Sequence, residues 1–571
     1  MERKDGRFWK KSYDPGIDDL DPALWESTLP ECFRKSFSSH PEKAAMAFMG
    51  VEISFAELET YSNRFANMLL ANGLGKGDVV AIAMANIPEY LIAYVGTITA
   101  GCVLSGVSPL LSTEEMRFQL ADSEAKCFVT LDAIFEKHLS KIHSRLPALK
   151  VVVAARIGGF LPAVKNFLGT LLGKIPKGAV TPLEGKAVLS FYDIIKRSAY
   201  PNTAPDVSLT PDDTAYLQYT GGTTGPPKGA MLTHRNALSD IHIVTSWLFI
   251  EMGKGVALSA FPIFHIAGLF TCSCFIIFGV TQILIPNPRD TGHICAEMKK
   301  YRPFLTANVP SLYHLLMSDP KFKRLDHSDL RICISAAASF PADSQKELED
   351  IIGRGKLLEA YGMTETSPLT VMNPALGQKK LGHIGLPLPN AEIKLVNPDT
   401  GAEVGPGEPG ELCVRGPFVM KAYCRQPEET KNAIDAEGYM HTGDVVVQDE
   451  EGYLRIVDRT KDMVNVSGFK VFSRKIEEIL TAHPAIQEIA VIGVPDADKP
   501  GSEQVMAFII PREGLFDEEK LAALEKDVIS FARERLAPFE VPKAMEFRKE
   551  LPLTSVGKLN KKALRDEIRR R

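Results

Sequence analysis

The sequence predicts an α/β protein: a large N-terminal domain of layered sheets and helices with an added β-subdomain, followed by a small α+β domain. Strand-like and helix-like segments alternate from Ala44 onward, a pattern typical of parallel sheets covered by helices. The chain has 571 residues, too many for a single hydrophobic core. Its composition, with 45% hydrophobic and 24% charged residues, is that of a globular protein.

The N-terminal part shows the alternation clearly. Apolar residues recur at helical spacing over Phe55–Asn72, and Pro88–Thr99 also predicts a helix. Between them, Val79–Met84 predicts a buried strand. Residues 1–40 contain Asp/Pro turn signals instead, so we expect a loosely structured arm there.

Two stretches, Tyr90–Leu111 and Pro262–Pro286, lack charged side chains over more than 20 residues, the length that a spanning helix needs. Glycine, proline, serine and threonine interrupt both stretches. We therefore predict buried elements of a large core. In the first stretch these are a helix that ends before Gly101 and a strand over Cys102–Val107.

The segment Ile157–Ala179 has apolar residues at helical spacing and lysine as its only charged residue type. Two interpretations are open. The simpler one is an amphipathic helix packed on its own domain; the other is a helix on a membrane surface or at a lipid entry. Pro201–Asp213 then reads as a linker.

The C-terminal part has a different pattern. Short alternating strands around the turn Glu450–Gly452 predict a hairpin over Val445–Val457. We place a domain boundary after it, between residues 1–457 and 458–571. The strands and helices predicted beyond this boundary are Ile486–Val494, Gln504–Ile510, Arg474–Thr481 and Asp517–Arg535.

Charge and cysteine content exclude some classes of function. The net charge of −5 gives no reason to expect nucleic acid, although Lys558–Arg571 carries seven basic and two acidic residues. A solvated helix face explains that tail more simply than an anion site. Nine cysteines without a C-x-x-C pair argue against a zinc site or a disulfide framework and favour a reducing cytoplasm. The N-terminal M-E-R-K-D-G-R-F-W-K-K has no apolar segment, so we expect no signal peptide.

The stretch Tyr219–Gly229, Y-T-G-G-T-T-G-P-P-K-G, has the composition of a phosphate-binding loop. Its glycines let the backbone turn tightly and approach a polyphosphate. Thr223 and Thr224 supply hydroxyls, and Lys228 supplies a positive charge. Two prolines separate Gly225 from Lys228, so this is not a Walker A loop, and the chemistry need not be γ-phosphoryl transfer.

Three further motifs carry polar groups that suit a nucleotide, although each is weak alone. Tyr361–Glu365, Y-G-M-T-E, offers a carboxylate of the kind that Mg²⁺ accepts beside substrate phosphates. His441–Asp444, H-T-G-D, offers a carboxylate for ribose hydroxyls. Pro552–Lys558 places a lysine on a loop, where a solvated lysine is the ordinary case.

Together and in this order, the motifs resemble those of the adenylate-forming superfamily of acyl-CoA synthetases, nonribosomal adenylation domains and luciferases. The resemblance runs from Ala44 to Lys562 and is nearest to bacterial long-chain fatty acyl-CoA synthetases. Its anchors are Y-T-G-G-T-T-G-P-P-K-G (219–229), F-P-I-F-H (261–265), Y-G-M-T-E (361–365), H-T-G-D (441–444), D-R-T-K-D-M-V-N-V-S-G-F-K-V (458–471), G-V-P-D (493–496) and P-L-T-S-V-G-K (552–558).

The resemblance implies an ATP-dependent fatty acid–CoA ligase, with medium- to long-chain acids favoured. The acid attacks the α-phosphorus of ATP to give acyl-AMP and pyrophosphate, and the CoA thiol then displaces AMP. Two anions must meet, so positioning and charge neutralisation dominate this chemistry. Mg²⁺ accompanies ATP, and CoA is the co-substrate.

Roles carry over by matching positions. Lys558 would stabilise charge on the α-phosphate, Lys228 would assist the leaving pyrophosphate, and Thr223 with Glu365 would hold the metal. His265 either shapes the carboxylate site or is an ordinary core histidine. The catalytic residues implied are Lys558, Glu365, Thr364, His265 and Lys228. The ATP-binding residues implied are Thr220, Gly221, Gly222, Thr223, Thr224, Gly225, Ala336, Ala337, Ala338, Tyr361, Gly362, Met363, Asp444, Ile456 and Arg459.

Asp458 matches the hinge about which the family's small, mobile domain turns between the two steps. The chain departs from close relatives nearby: Lys470 replaces Asn, and Ser473-Arg474-Lys475 replaces Pro-Asn-Glu. The added positive charges either bind the phosphates of CoA or belong to a variant loop. The CoA-binding residues implied are Ser467, Gly468, Phe469 and Lys470.

The acyl pocket is expected near His265–Phe270, Val309–Tyr313 and Ser335–Phe340, whose small or apolar residues suit an aliphatic acid. Two alternatives are open: an aryl or alicyclic acid–CoA ligase of the same fold, and a non-catalytic membrane-associated protein that captures fatty acids. The expected partners are a fatty acid, ATP and CoA. We expect a cytoplasmic monomer or homodimer, with peripheral contact at the inner face of the membrane as an option.

Overall fold

Strands and helices alternate along most of the computed structural model, which confirms the predicted α/β class. The structure describes residues 6–571, except 163–164, 168, 170–171, 174, 198–199, 221–225, 339, 468, 497–498, 500–501, 513–516, 554–558 and the side chain of Glu518. The chain forms two compact units. One contains the residues up to Thr220, 227–392 and 415–438, and the other contains 393–414 and 439–571. The boundary predicted after residue 457 lies inside the second unit and stays a prediction.

A nine-stranded sheet in the first unit has parallel strands at its centre. These strands are rich in buried Ile, Leu and Ala, as a sheet covered on both faces requires. From one edge to the other, the strands are Leu386–Pro387, Leu369–Met372, Leu357–Gly362, Ile332–Ala336, Leu305–Asn308, Val256–Ser259, Thr281–Leu284, Ala44–Phe48 and Val51–Ser54.

An eight-stranded sheet in the same unit holds the hairpin that flanks the predicted phosphate loop. Strand Thr214–Thr220 pairs antiparallel with Lys228–Thr233, and the register places Thr220 opposite Lys228. In order across the sheet, the strands are Ala422–Tyr423, Lys228–Thr233, Thr214–Thr220, Val103–Gly106, Val79–Ala83, Cys127–Leu131, Val151–Ala155 and Ala187–Ser190.

Helix boundaries in this unit follow local capping signals. Ser54 caps the helix Phe55–Ala71, because its hydroxyl accepts from the Glu57 N–H at 3.1 Å while the Glu57 carboxylate accepts from the Ser54 N–H at 3.0 Å. The helices are Leu29–Ser39, Phe55–Ala71, Pro88–Thr99, Thr113–Asp122, Asp132–Ile134, Phe135–Leu139 (a π-helical turn), Ser140–Ile142, Phe191–Lys196, His234–Trp247, Ile266–Ile277, Thr291–Tyr301, Pro310–Ser318, Pro320–Lys323, Ala342–Ile352 and Pro427–Ala433.

Both uncharged stretches fold into buried elements, as predicted. The first forms the helix Pro88–Thr99 and the strand Val103–Gly106, and the second forms the helix Ile266–Ile277 and the strand Thr281–Leu284. In the part of the chain that the structure describes, every helix is too short or too polar to cross a membrane.

From residue 6 onward the N-terminal arm is ordered, so the prediction of a loose arm is wrong for the residues that the structure describes. It contains the helix Leu29–Ser39, and Trp9 and Trp25 are only 2% and 3% exposed. The Asp14 carboxylate accepts a hydrogen bond from the Leu376 N–H at 2.9 Å, across 362 residues of sequence. Buried aromatic side chains and such long-range contacts hold the arm, and local turn signals do not report them.

Of the predicted amphipathic segment 157–179, residues 165–167 and 169 are helical, whereas 157–160 form a turn. Phe160 is buried, but Phe167 and Leu172 are 68% and 65% exposed. Val164, Leu168 and Leu171 lie outside the described residues. Both interpretations of this segment therefore stay open.

The second unit contains most of a four-stranded sheet and, after it, a small α+β arrangement. The predicted hairpin is confirmed, since strand Met440–Gln448 pairs antiparallel with Leu454–Arg459. The remaining strands are Glu392–Val396, Pro409–Arg415, Val464–Val466, Phe469–Val471, Ile486–Pro495, Glu503–Pro511 and Ala544–Phe547; the helices are Ser473–Thr481, Glu518–Arg533 and Lys561–Arg570.

The basic C-terminal helix is packed against its own unit. Its Leu564 is fully buried, and two of its cations form ion pairs: Lys561 with Glu477 and Arg565 with Asp462, each at 2.7 Å. Internal carboxylates thus neutralise part of the basic tail.

Candidate active site

Three sequence motifs lie where parallel strands of the nine-stranded sheet end. Residues 261–265 follow Val256–Ser259, and 337–338 follow Ile332–Ala336. The motif Tyr361–Glu365 begins within Leu357–Gly362. Because the carboxyl ends of parallel strands meet at one edge, and ligands of open α/β sheets bind there, the fold collects these motifs at a site-forming edge.

Glu365 lies in a short turn of helix, Thr364–Thr366, directly after the last of these strands. It is 6% exposed, and its Oε1 accepts a hydrogen bond from the Tyr423 hydroxyl at 2.6 Å. Burial raises the pKa of the Glu365 carboxyl, while the Tyr423 hydrogen bond and the charge of Lys228 oppose that rise. A carboxylate so placed is an oriented, largely desolvated anion.

Lys228 begins the second strand of the phosphate-loop hairpin. Its ammonium forms an ion pair with Glu429 and lies 5.1 Å from the centre of the Tyr423 ring, within cation–π range. We call Glu365, Tyr423, Lys228 and Glu429 the Glu365 cluster. It brings the predicted metal ligand and the predicted phosphate lysine to one place in the first unit.

Tyr423 and Glu429 are functional candidates that sequence reasoning missed. Tyr423 belongs to a two-residue edge strand that pairs with Ala230 of the hairpin. Glu429 is in the first turn of the helix Pro427–Ala433. A two-residue strand has no periodicity to detect, and nothing local points from either residue to Glu365 or Lys228.

Some predicted site residues cannot be placed. Thr220 ends the first strand of the hairpin and is half-buried. Gly221, Gly222, Thr223, Thr224, Gly225, Gly468 and Lys558 lie outside the described residues.

The predicted adenine-binding segments end adjacent strands, with Ala336 paired to Ala360 in register. Ala337 has φ of +71°, a conformation that costs a non-glycine residue energy and is often kept at functional sites. At Gly362, a Cβ would lie 1.8 Å from the carbonyl oxygen of Pro368, so only glycine fits there. Tyr361, Gly362 and Met363 therefore follow a tightly constrained path beside Ala336–Ala338, and their contact with adenine remains a prediction.

His265 caps the helix Ile266–Ile277: its Nδ1 accepts from the Ala267 N–H at 3.3 Å. The ring is half-buried. At Gly268 a Cβ would lie 2.2 Å from the Pro262 carbonyl oxygen, so the turn before the helix packs directly on its first residues. This packing fixes the position of His265 at the sheet edge.

An apolar cavity lies beside this edge. Two of the three predicted acyl-pocket segments contribute to it, through Ala267, Phe270 and Ala336. The third does not, since Tyr313 is 1% exposed in a separate hydrophobic cluster. The lining residues are Val244, Thr245, Leu248, Ile250, Phe261, Ala267, Phe270, Thr271, Cys274, Phe275, Leu305, Ala307, Ile334, Ala336, Pro368 and Leu369, all of them uncharged.

In the second unit, Asp444 and Arg459 face each other on paired strands. The Arg459 Nε lies 3.2 Å from Asp444 Oδ1. Ile456, on the same strand as Arg459, is half-buried opposite Val446. The structure thus brings together the two residues predicted to hold ribose, and that role stays a prediction.

Asp458, the predicted hinge residue, is 3% exposed. Its carboxylate accepts from the Ser473 N–H at 2.5 Å, the Ser473 hydroxyl at 3.1 Å and the Arg459 N–H at 2.8 Å. Burial raises its pKa, and the positive charge of Lys561 opposes the rise. Ser473, which stands where the family resemblance leads us to expect proline, is therefore a direct partner of the predicted hinge residue.

The segment predicted to bind CoA has both exposed and paired side chains. Ser467 has φ of +51°, and Phe469 is 57% exposed while stacking on Phe539 at 4.7 Å between ring centres. Each added cation contacts a carboxylate of its own unit; the pairs are Lys470 with Asp399 (2.5 Å), Arg474 with Glu478 (2.9 Å) and Lys475 with Glu540 (2.6 Å).

Comparison with known proteins gives matches along nearly the whole chain. Residues 33–424 match the model of the AMP-binding enzyme family, and residues 475–558 match that of the AMP-binding enzyme C-terminal domain. A long-chain-fatty-acid–CoA ligase of Escherichia coli O157:H7 is 38% identical over 569 residues, covering 99% of this chain and 98% of that protein. The 4-coumarate–CoA ligase 2 of Oryza sativa subsp. japonica is 32% identical, covering 91% and 89%.

Among solved structures, the ATP-bound form of MatB from Rhodopseudomonas palustris has a TM-score of 0.78 to this chain. It is 30% identical, and the match covers 95% of this chain and 99% of that one. The similarity extends over both compact units.

Proposed function

Because the chain belongs to the AMP-binding enzyme family, we propose that it is an AMP-forming acyl-CoA synthetase that joins a medium- to long-chain fatty acid to CoA. The two family matches confirm the resemblance expected from the sequence. The observation that carries the choice of acid is the uncharged, apolar lining of the cavity beside the sheet edge. An apolar cavity of this kind accepts a hydrocarbon chain and offers no partner for a second charge.

We propose that the Glu365 cluster binds the metal ion that accompanies ATP. Mg²⁺ prefers one or two carboxylates together with substrate phosphates, and Glu365 offers a buried carboxylate whose orientation Tyr423 fixes. When bound, the ion would neutralise phosphate charge. Thr223 is proposed as a second ligand.

The remaining polar and charged residues are proposed to act on different parts of the substrates in the first step. Lys228 is proposed to stabilise pyrophosphate as it leaves, with Glu429 holding the ammonium until phosphate replaces it. Lys558 is proposed to act on the α-phosphate, where the attacking acid also brings negative charge. His265, held at the helix start beside the cavity residue Ala267, is proposed to orient the carboxylate of the acid.

Asp444 and Arg459 are proposed to hold the ribose, and Tyr361 with Ala336–Ala338 the adenine. Asp458 is proposed as the hinge that separates the two half-reactions, with Ser467–Lys470 contacting CoA in the second.

An aryl acid is the second candidate substrate, because the rice 4-coumarate–CoA ligase is 32% identical over most of both chains. A carboxylate panel from hexanoate to oleate, with benzoate and coumarate, distinguishes the two. We expect kcat/KM to rise with aliphatic chain length, and a preference for coumarate would favour the second candidate.

Product analysis tests the reaction itself. With ATP, magnesium, acid and CoA we expect AMP and pyrophosphate, dependent on the acid and CoA, together with the thioester. ADP and phosphate would contradict the proposal, and so would binding of fatty acid without turnover.

Lys228→Ala tests whether Lys228 acts mainly in adenylation, the first half-reaction. We expect adenylation to fall by about 100-fold, with less effect on thioester formation from supplied acyl-AMP. Lys431→Ala removes a lysine from an exposed ion pair with Glu428 and is the matched control. Equal loss of both half-reactions would argue against this role of Lys228.

We also propose a cytoplasmic enzyme that contacts the membrane surface through the exposed Phe167 and Leu172. Vesicle flotation should be reduced in a Phe167→Ser/Leu172→Ser variant and unchanged in Leu110→Ser, which alters another exposed leucine. Equal flotation of all three proteins would remove the proposed contact.

A further inference from the structure

Three metal-ligating side chains converge on the four-stranded sheet of the second unit. Glu411 and Cys413 lie on strand Pro409–Arg415, and His441 lies directly opposite Cys413 on strand Met440–Gln448. Since alternate residues of a strand share a face, Glu411 and Cys413 point to the same side of the sheet. One carboxylate oxygen, the thiol sulfur and one ring nitrogen lie within 4.8 Å of one another.

Two of the three ligand separations are close to the spacing of ligands around a tetrahedral ion. His441 Nδ1 is 3.1 Å from Glu411 Oε2 and 3.4 Å from Cys413 Sγ. Zinc bond lengths place nitrogen and oxygen ligands about 3.3 Å apart, and sulfur and nitrogen ligands about 3.6 Å apart. The observed distances are slightly shorter, so a small outward movement of the side chains would admit an ion.

The donor set selects the kind of ion. Mg²⁺ and Ca²⁺ prefer oxygen ligands, whereas a thiolate with an imidazole and a carboxylate is typical of Zn²⁺ and the neighbouring divalent ions Co²⁺ and Ni²⁺. Cys413 is fully buried, but the His441 side chain is 32% exposed, so an ion can approach from that side. Three protein ligands leave a fourth position for water.

We propose that Glu411, Cys413 and His441 form a binding site for a zinc-like divalent ion, distinct from the magnesium that accompanies ATP. On binding, the Cys413 thiol releases its proton to solvent and the sulfur donates an electron pair to the ion. His441 binds as neutral imidazole through Nδ1, with the proton on Nε2. The cysteine spacing gave no sign of this site, because its ligands come from two strands and include one cysteine.

The site is linked to the motif predicted to hold ribose. The second oxygen of Glu411, Oε1, accepts from the Gly443 N–H at 3.0 Å, and the Thr442 hydroxyl donates to the Leu412 carbonyl at 2.8 Å. A bound ion would therefore fix the segment that leads to Asp444.

Cobalt binding tests the proposal directly. Co²⁺ is added to the full chain after metal has been removed with a chelator. We expect one equivalent to produce a thiolate-to-cobalt charge-transfer band and the intense visible bands of a tetrahedral ion, and Zn²⁺ to displace both. Absence of the charge-transfer band at saturating Co²⁺ would overturn the proposal.

Matched variants assign the ligands. Cys413→Ser should abolish the charge-transfer band, while Cys424→Ser, which changes a partly exposed cysteine, should retain it. His441→Ala and Glu411→Gln should each weaken Zn²⁺ binding at least about tenfold, and Gln still offers an oxygen to Gly443. A band that survives in Cys413→Ser, or unchanged affinity in the other two variants, would contradict the assignment.

Unfolding of the metal-free variants separates loss of the site from loss of the fold. We expect the metal-free unfolding midpoints of Cys413→Ser and the unaltered chain to agree, and only the latter to rise with Zn²⁺. An equal rise in both proteins would place the ion elsewhere.

Discussion

Glu365 in the first unit and Asp458 in the second are both buried carboxylates with a raised pKa, but their hydrogen-bond partners differ. Among the described residues, one side chain, that of Tyr423, donates to the Glu365 carboxylate. Asp458 accepts from two backbone N–H groups and one hydroxyl. Burial of a carboxylate therefore does not by itself mark a ligand site. We expect the number of acceptor positions that the fold already fills to separate Glu365, the proposed metal ligand, from Asp458.

The largest effect expected from this comparison is loss of activity in Glu365→Gln. Removing the charge that we propose to pair with ATP-bound magnesium should lower the rate of adenylation by about 100-fold or more, measured by pyrophosphate release. The fold should persist, because Gln is isosteric and still offers an oxygen to the Tyr423 hydroxyl.

The same variant also has an expected pH signature in stability. The folded-state pKa of Glu365 is raised above the ordinary 4.5, so the unfolded chain loses this proton first as pH rises. The unaltered protein should therefore lose stability relative to Glu365→Gln from about pH 4.5 upward, until the folded-state group also ionises. Urea unfolding at several pH values measures this, and an opposite slope would contradict the burial argument.

Compared with Glu365→Gln, Asp458→Asn should lose more stability and should lower the rate of adenylation less. Asn has one acceptor oxygen, so at least one of the donors at Ser473 or Arg459 loses its partner inside the protein. We expect a loss of about 1–3 kcal/mol in unfolding free energy, measured with urea. Asp527→Asn, at a carboxylate that is 71% exposed, is the control. Equal stability of both variants would mean that the acceptors of Asp458 are not structural.

Tyr423→Phe tests the role of the Tyr423 hydroxyl that donates to Glu365. The Tyr423 hydroxyl lowers the pKa of Glu365, so its removal should raise that pKa further. The acid limb of kcat/KM should then move to higher pH, because a larger share of the carboxyl stays protonated. Tyr301→Phe removes a comparable hydroxyl, which donates to Glu52 at 3.1 Å outside the site, and should leave the profile unchanged.

The sequence alone predicted the positions of helices and strands better than it predicted which side chains contact one another. Helix and strand positions depend on periodicity and capping within one segment, which is why the helices at 55–72 and 88–99 were predicted to within a residue. Motif order singled out Glu365 and Lys228 as candidate site residues, and their roles stay predictions.

The partners could not be predicted because they come from distant segments. Tyr423 is 58 residues from Glu365, and Glu429 is 201 residues from Lys228. The prediction of a loose arm over residues 1–40 was wrong for the same reason. Trp9 and Trp25 are buried by contacts that no local sequence pattern indicates.

The smallest expected effect concerns the Ser473 side chain, which contacts both Asp458 and Lys561. Ser473→Ala removes the hydroxyl that donates to Asp458 at 3.1 Å and accepts from Lys561 at 2.8 Å, but it keeps the backbone N–H donor. We expect a loss of about 1 kcal/mol in unfolding free energy.

Ser473→Pro removes the N–H donor as well, although proline is well tolerated in the first turn of a helix such as Ser473–Thr481. Because the buried Asp458 then loses two donors, this variant should be less stable than Ser473→Ala in the same urea series. If the proline variant were the more stable one, preorganisation of the helix would outweigh the hydrogen bonds, and the filled acceptors of Asp458 would not explain its burial.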